Sequence, residues 1–377
     1  MAAFAFACGL LVANLYYAQP LTALIGRDLG FRAGVVGLLV TLTQLGYGAG
    51  LLVLVSLADI LENRALVLAA LAGLALALAG AALSTSPAAF LAAAFATGFC
   101  AAATQILVPF AAHLTPEHAR GRTVGAVMSG LLVGIMLSRP LASLTAARFG
   151  WQAIFWASAA ATVGLWLLLR KALPRRVPEH QGFGFLAVLK SLPVLLIETR
   201  LLRLRAFTQA MAFAGFSMFW TAVPLVLASP GFGLRQQGLA LFALAGAGGA
   251  LIAPVAGRLA DRGHTPAATI AALSGVAIAF GLTILAVRTH DLALLTVVAV
   301  LLDACVQLNQ VVGLRAIYNL RPEVRGRLNA LYMAIMFAAG GLASILATLL
   351  LEHFGWTPVA LLGAVCAGVA LAVQLRS

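Results

Sequence analysis

Long apolar runs, separated by short polar breaks, repeat from one end of the chain to the other. A helix needs about 20 apolar residues to cross about 30 Å of hydrocarbon. Twelve runs of that kind can be marked, near 3–25, 34–57, 65–84, 88–112, 124–147, 152–169, 206–228, 237–256, 267–287, 292–314, 329–351 and 357–375. In lipid a helix satisfies its own main-chain donors and acceptors, so the pattern predicts twelve membrane-spanning helices.

One stretch, 170–205, interrupts the pattern. It holds Arg170, Lys171, Arg175, Arg176, Lys190, Arg200, Arg203 and Arg205 and is read as a linker between two membrane-embedded halves, 1–169 and 206–377. Within it, 183–199 is apolar apart from Lys190 and Glu198 and contains Pro193. That reads as an interfacial amphipathic segment, not a thirteenth span.

The halves repeat one another. Arg120-Gly121-Arg122 recurs as Arg325-Gly326-Arg327, Phe149-Gly150-Trp151 as Phe354-Gly355-Trp356, and Cys100 and Gln105 as Cys305 and Gln310, all at an offset of 205. Leu57-Ala58-Asp59 recurs as Leu259-Ala260-Asp261 at 202. The shared offset indicates parallel six-helix repeats about an axis along the membrane normal, with a binding cavity between them.

Composition agrees. Of 377 residues, 63% are hydrophobic and only 9% charged, against about 25% charged in soluble domains. In a soluble protein the net charge of +13 would suggest nucleic acid. Here its distribution explains it. With both termini on one side, the linker side collects 18 Lys/Arg and the other side five, with Arg139 inside a span. Positive residues stay inside, so linker and termini are expected in the cytoplasm of a plasma-membrane protein that binds no nucleic acid. Cys8, Cys100, Cys305 and Cys366 each sit alone in apolar runs, as small buried hydrophobes do. The first run lacks a basic leader and is long enough to span, so no cleavable signal peptide is read there.

Twelve spans in two halves, a basic central loop and matched loop motifs resemble the major facilitator superfamily. The second-half loop Gly257-Arg258-Leu259-Ala260-Asp261-Arg262 is similar to that family's loop signature. The first-half copy, Val55-Ser56-Leu57-Ala58-Asp59, keeps the Asp but has Val55 in place of Gly, with Arg64 the only basic residue after it. The fifth span, with Gly130, Gly134, Ser138, Arg139 and Pro140, is similar to the glycine-rich fifth helix of the drug:proton antiporters. The opening Ala13-Asn14-Leu15-Tyr16-Tyr17-Ala18-Gln19-Pro20 resembles the arabinose-efflux-like permeases. The resemblance implies an all-α membrane fold of two pseudo-twofold-related six-helix bundles. It also implies a cavity lined by spans one, four, seven and ten, and loop charges that latch one state.

Two charges lie well inside spans, where each costs about 2.5–3.5 kcal/mol to insert. Asp303 is midway along the tenth span. Arg139 is in the fifth, nearer the external face. Counted from Arg315 and Arg122, they stand at roughly 18 Å and 25 Å, a difference an Arg side chain can largely close if the helices adjoin. The functional reading is a proton-titrating carboxylate with a basic partner; the alternative is a structural ion pair. Asp303, Gln307 and Gln310 share a helix face, with Asn309 adjacent. Thr104 and Gln105 match them in span four, Asn14 and Tyr17 share a face in span one, and Ser217, Trp220 and Thr221 do so in span seven. They line the cavity or join helices by hydrogen bonds.

Gating is assigned to Asp59, Arg64, Arg120 and Arg122 in one half and Asp261, Arg262, Arg325 and Arg327 in the other. The two Asp carry it, Asp261 the more strongly; the alternative is that the Arg only set topology. His113, His118, His180, His264, His290 and His353 lie at or beyond span ends with no metal-ligand spacing. No Walker lysine motif is present, so ATP does not drive the protein directly. No cofactor or enzyme activity is expected. The expected function is a monomeric proton-coupled transporter in the lipid bilayer, exporting a small amphipathic or drug-like substrate. One alternative is a proton symporter importing a sugar or organic anion; another is a non-transporting sensor or scaffold.

Overall fold

The computed structural model describes residues 2–116, 119–177, 184–318, 320 and 324–376. His118, His180, Arg321 and the Arg120 side chain lie outside the described residues. Within the description all regular structure is helical. The first span is broken into α1 (Ala2–Ala13), a 3-10 turn at Gln19–Leu21, and α2 (Thr22–Leu29). Spans two and three are α3 (Leu38–Ala58) and α4 (Asn63–Ala82); span four is α5 (Pro87–Ala101) followed by α6 (Thr104–His113). Then come α7 (Arg120–Phe149), α8 (Gln152–Ala172) and the linker helix α9 (Phe185–Glu198). The second half holds α10 (Arg200–Ala228), α11 (Gln236–Ala247) and α12 (Ala253–Asp261) around a 3-10 segment at Gly248–Ile252. It ends with α13 (Thr265–Arg288), α14 (Leu292–Tyr318), α15 (Arg325–Phe354) and α16 (Trp356–Leu375).

Eleven of the spans are long and apolar enough to cross a membrane; the first, interrupted after Ala13, reaches across only as α1 and α2 together. The architecture is twelve spans in two six-helix bundles. The repeat is visible in the element bounds. α7 and α15 are both 30 residues long and end on Phe-Gly. Gly150 and Gly355 then take φ of 83° and 77°, a region that side chains rarely adopt. The chain turns at once into α8 and α16, which explains the paired Phe-Gly-Trp motifs.

The halves meet where α3 packs on α15 and α7 packs on α11. The turn and α2 of span one also lean on α10. No comparable packing joins α7 to α12 among the described residues. The fifth span's glycines have a packing reason. Gly130 and Gly134 face Ala5 and Gly9 of α1, and a Cβ added at Gly9 would lie 2.6 Å from the Gly130 carbonyl oxygen. In lipid such close backbone approach maximises dispersion contact.

At the linker end, α9 buries Val188, Leu192 and Leu195 and exposes Leu186, Val194 and Ile197. It lies against α3, α10 and α15. One reading of the linker is corrected. Helix α10 begins at Arg200, and Arg205 is buried in it, its Nη1 donating to Thr269 Oγ1 at 2.8 Å and Gln374 Oε1 at 3.3 Å. Arg205 ties spans seven, nine and twelve together and is not a solvent-facing loop charge.

Candidate substrate and proton site

Three prolines sit beside the intramembrane charges: Pro20 in the 3-10 turn, Pro140 in α7 and Pro224 in α10. Proline lacks an N–H, so inside α7 and α10 it removes the ladder bond to Met136 and Trp220 and loosens the helix there. Arg139 and Asp303 are 2% and 8% exposed. They do not form an ion pair among the described residues. The indole of Trp220 joins them instead. Its N–H donates to Asp303 Oδ1 at 2.6 Å, and its ring centre lies 4.4 Å from the Arg139 guanidinium carbon. The bridging side chain expected from the height difference is therefore Trp220, not Arg139 reaching across.

The guanidinium also lies 4.9 Å from the Tyr16 ring centre and 5.1 Å from that of Phe216. Cation–π contacts of a desolvated guanidinium are worth about 2 kcal/mol or more each, which offsets part of the cost of burying it. Arg139 Nε donates to Gln19 Oε1 at 2.8 Å. Arg139 Nη2 and Gln19 Nε2 are buried and have no hydrogen-bond partner among the described residues. Arg139 also lines a small cavity of about 10 Å³ with Pro20, Trp220, Leu227, Leu239 and Phe242, room for about one water. The site thus takes Arg139, Gln19 and Tyr16 from the first half and Phe216, Trp220 and Asp303 from the second.

The other polar positions divide. Gln105 crosses between halves: its Nε2 donates to Tyr47 Oη at 3.3 Å, and Asn329 Nδ2 donates to its Oε1 at 3.1 Å. Ser217 does likewise, exchanging hydrogen bonds with Gln44 at 2.9 and 3.2 Å. Asn309 donates to Gln209 Oε1 at 2.8 Å, and Gln310 reaches Met333 Sδ at 3.8 Å. Gln307 is half-buried on the same helix. Three positions behave as structural polar groups. Thr104 donates back to Ala101 O at 2.8 Å. Asn14 accepts from Ser158 at 2.7 Å and donates to Leu10 O at 2.8 Å. Thr221 donates to Ser344 at 3.0 Å. Tyr17 is buried beside Asn14 at 4% exposure.

Sequence reasoning missed Tyr16, Gln19, Gln44, Tyr47, Gln209 and Asn329. Tyr16 and Gln19 stand in plain view within the opening motif; the other four are uncharged polar residues inside apolar runs, the signal that would have found them.

Of the gating residues, only one pair joins the halves among the described residues: Arg327 Nε lies 3.2 Å from Asp59 Oδ2. Arg327 Nη1 also donates to Ser191 of α9 at 3.4 Å. Asp261 pairs with Arg315, both within the second half, so this ion pair joins helices of one half and does not cross between the halves. Arg64 Nη2 donates to the Arg170 carbonyl at 2.6 Å and Arg325 Nε to the Tyr318 carbonyl at 2.8 Å. Each satisfies the end of a neighbouring helix, where cations suit the helix dipole. Arg122 and Arg262 are exposed.

Comparisons with known proteins agree with this architecture. The family model described as Major Facilitator Superfamily matches residues 2–209 and again 205–376. The chain is 38% identical over 375 residues to the uncharacterized transporter YgaY of Escherichia coli O157:H7, covering 98% of this chain and 93% of that protein. It is 35% identical over 357 residues to the probable transporter SCO4007 of Streptomyces coelicolor, covering 94% and 80%. Among solved structures, a point mutant of the nucleoside transporter NupG superposes with a TM-score of 0.79 at 14% identity over 99% of both chains. The xylose transporter XylE from E. coli, in a partially occluded inward open conformation, gives 0.76 at 15% identity over 99% of this chain and 96% of that one. At that identity the likeness bears on the fold alone. With twelve spans in two bundles and a family match over both halves, the chain belongs to the Major Facilitator Superfamily.

Proposed function

We propose that this protein is a proton-coupled secondary transporter of the plasma membrane, working by alternating access on small amphipathic molecules. Its linker and termini are cytoplasmic, the halves 1–169 and 206–377 rock about the site, and the monomer is the working unit. Export in exchange for protons is the direction suggested by the opening motif's resemblance to efflux permeases. The observation that carries the coupling is Asp303, a deeply buried carboxylate held by the Trp220 indole N–H and not closed into an ion pair among the described residues. A carboxylate locked to a cation keeps its charge. One bonded to a neutral donor, with a guanidinium across the ring, can exchange a proton while its neighbours stay in place. The Asp59–Arg327 pair, formed despite the altered first loop motif, supports a working gate over the sensor or scaffold reading.

The test is proton movement across the membrane of pyranine-loaded proteoliposomes when substrate is added outside: exchange moves protons out as substrate enters, symport moves them in with it. Asp303→Asn mimics the protonated acid. It is expected to lose transport driven by a pH gradient while retaining substrate exchange at equal pH. Uphill transport by the variant on a pH gradient alone would show that coupling lies elsewhere. A second reading, proton symport of an organic anion, is favoured by the buried donors Arg139 Nη2 and Gln19 Nε2, which lack partners among the described residues.

A further inference from the structure

We propose that the substrate is a small organic anion with an apolar, ring-sized body, its anionic head seated on Arg139 Nη2 and Gln19 Nε2. The inference rests on the transport reading above and selects its second form. Buried N–H donors are almost always satisfied, and leaving one unsatisfied is costly, more so when it belongs to a charged group. Here two belong to residues joined by a hydrogen bond, with Arg139 2% and Gln19 0% exposed. Both are donors, so what completes them is an acceptor. Rings of Tyr16, Phe216 and Trp220 lie within 5.1 Å of the guanidinium carbon. With these rings stacked about the cation, its N–H groups remain for an oxyanion. Apart from Arg139, the adjoining cavity is walled by proline, alanine, leucine and aromatic side chains, which suits an apolar body.

The cavity now has room for about one water. Its walls come from both halves, Pro20 and Arg139 from the first and the others from the second, so separation of the halves enlarges it. A cation would meet the Arg139 charge and leave both donors open.

Charge balance then ties the anion to the proton. The titratable groups facing the site are Arg139 on α7, Asp303 on α14 and the Tyr16 phenol in the span-one turn. Arg139 and Asp303 cancel as they stand; an added anion leaves one uncompensated negative charge in a buried site, and protonation of Asp303 removes it. Anion and proton therefore load together, and anion binding strengthens as pH falls, by at most about tenfold per pH unit for one linked proton.

The test uses the purified full chain in nanodiscs and isothermal titration calorimetry with benzoate, benzyl alcohol and benzylamine, which share a ring and differ in head-group charge. Benzoate is expected to bind at least about tenfold more tightly than the other two, since a hydrogen bond to a charged group is worth about 1.5–3 kcal/mol. Arg139→Gln should abolish that preference. Gln19→Leu, which leaves the charges intact, should weaken benzoate binding and guards against a folding defect in the first variant. In Asp303→Asn the pH dependence should vanish. Tighter binding of benzylamine, or benzoate binding untouched by both Arg139→Gln and Gln19→Leu, overturns the anion site. Arginine-dependent benzoate binding with no benzoate-driven proton movement in proteoliposomes would uphold the anion site and sink the coupled-transport reading.

Discussion

Replacing Asp59 with Asn should release the linker end of the molecule, and the structure sets the size of the effect. The Asp59–Arg327 pair is 3.2 Å apart, with side chains 46% and 23% exposed. Two unit charges at that separation attract by about 1.3 kcal/mol in water and about 5 kcal/mol at an effective dielectric of 20. Exposure places this pair near the wet limit, where measured pairs give about 0.2–1 kcal/mol. If the bond exists in only one of two states, losing about 1 kcal/mol shifts their ratio about fivefold. The assay is the rate of maleimide labelling at Gln307→Cys, half-buried on α14, with the four native cysteines replaced by Ala. Asp59→Asn should raise the rate by up to about fivefold. Asp261→Asn should leave it unchanged, because Asp261 pairs with Arg315 in its own half. The exchange Asp59→Arg with Arg327→Asp should return it toward the starting value. An unchanged rate in Asp59→Asn, or an equal rise in Asp261→Asn, refutes the latch.

Three further expectations follow from single contacts. Trp220→Phe keeps the ring over Arg139 but removes the 2.6 Å bond to Asp303; a melting curve should show a loss of about 1.5–3 kcal/mol, and no change would deny that bond a role. Gly134→Ala would bring a Cβ within 2.6 Å of the Gly9 carbonyl carbon, whereas Gly164→Ala meets no atom within 4 Å. The first should cost about 1–3 kcal/mol of thermal stability and the second none; equal effects would contradict the α1–α7 packing. A double-mutant cycle on Gln105→Leu and Asn329→Leu should give a coupling of about 0.5–1.5 kcal/mol if their 3.1 Å hydrogen bond joins the halves, and additivity would remove it.

The repeat is legible because it is written in residues with backbone consequences. Gly150 and Gly355 hold positive φ at equivalent junctions, and no other residue fits there as easily. Asp303 and Arg139 are legible because charges inside apolar runs are rare and costly. Their mutual geometry is not. Trp220 reads as a cavity residue, yet nothing in its spacing shows that its indole bridges charges from two halves. The breaks in spans one, four and eight are also hidden, since an apolar run reads the same whether its helix is continuous or interrupted. Thr104 shows the limit for single polar residues. Its hydroxyl turns back onto Ala101, a choice made by local backbone geometry that composition does not record.

At the linker end one difference between the halves makes their aspartates unequal. Asp59 and Asp261 are counterparts, and Arg122 is the counterpart of Arg327 by the 205 offset. Arg315 has Phe110 as its counterpart, so only the second half contains a cation that competes for its own aspartate. Asp261 is taken by Arg315, and Arg122 stays exposed. A duplicated pair of bolts is thereby reduced to one across the halves among the described residues. That bolt is half in water, where dissolved ions within about 8–10 Å screen it at physiological strength. The balance between the molecule's two faces is thus tied to the ionic strength at its linker end, through a single aspartate that internal symmetry alone would have backed with a second.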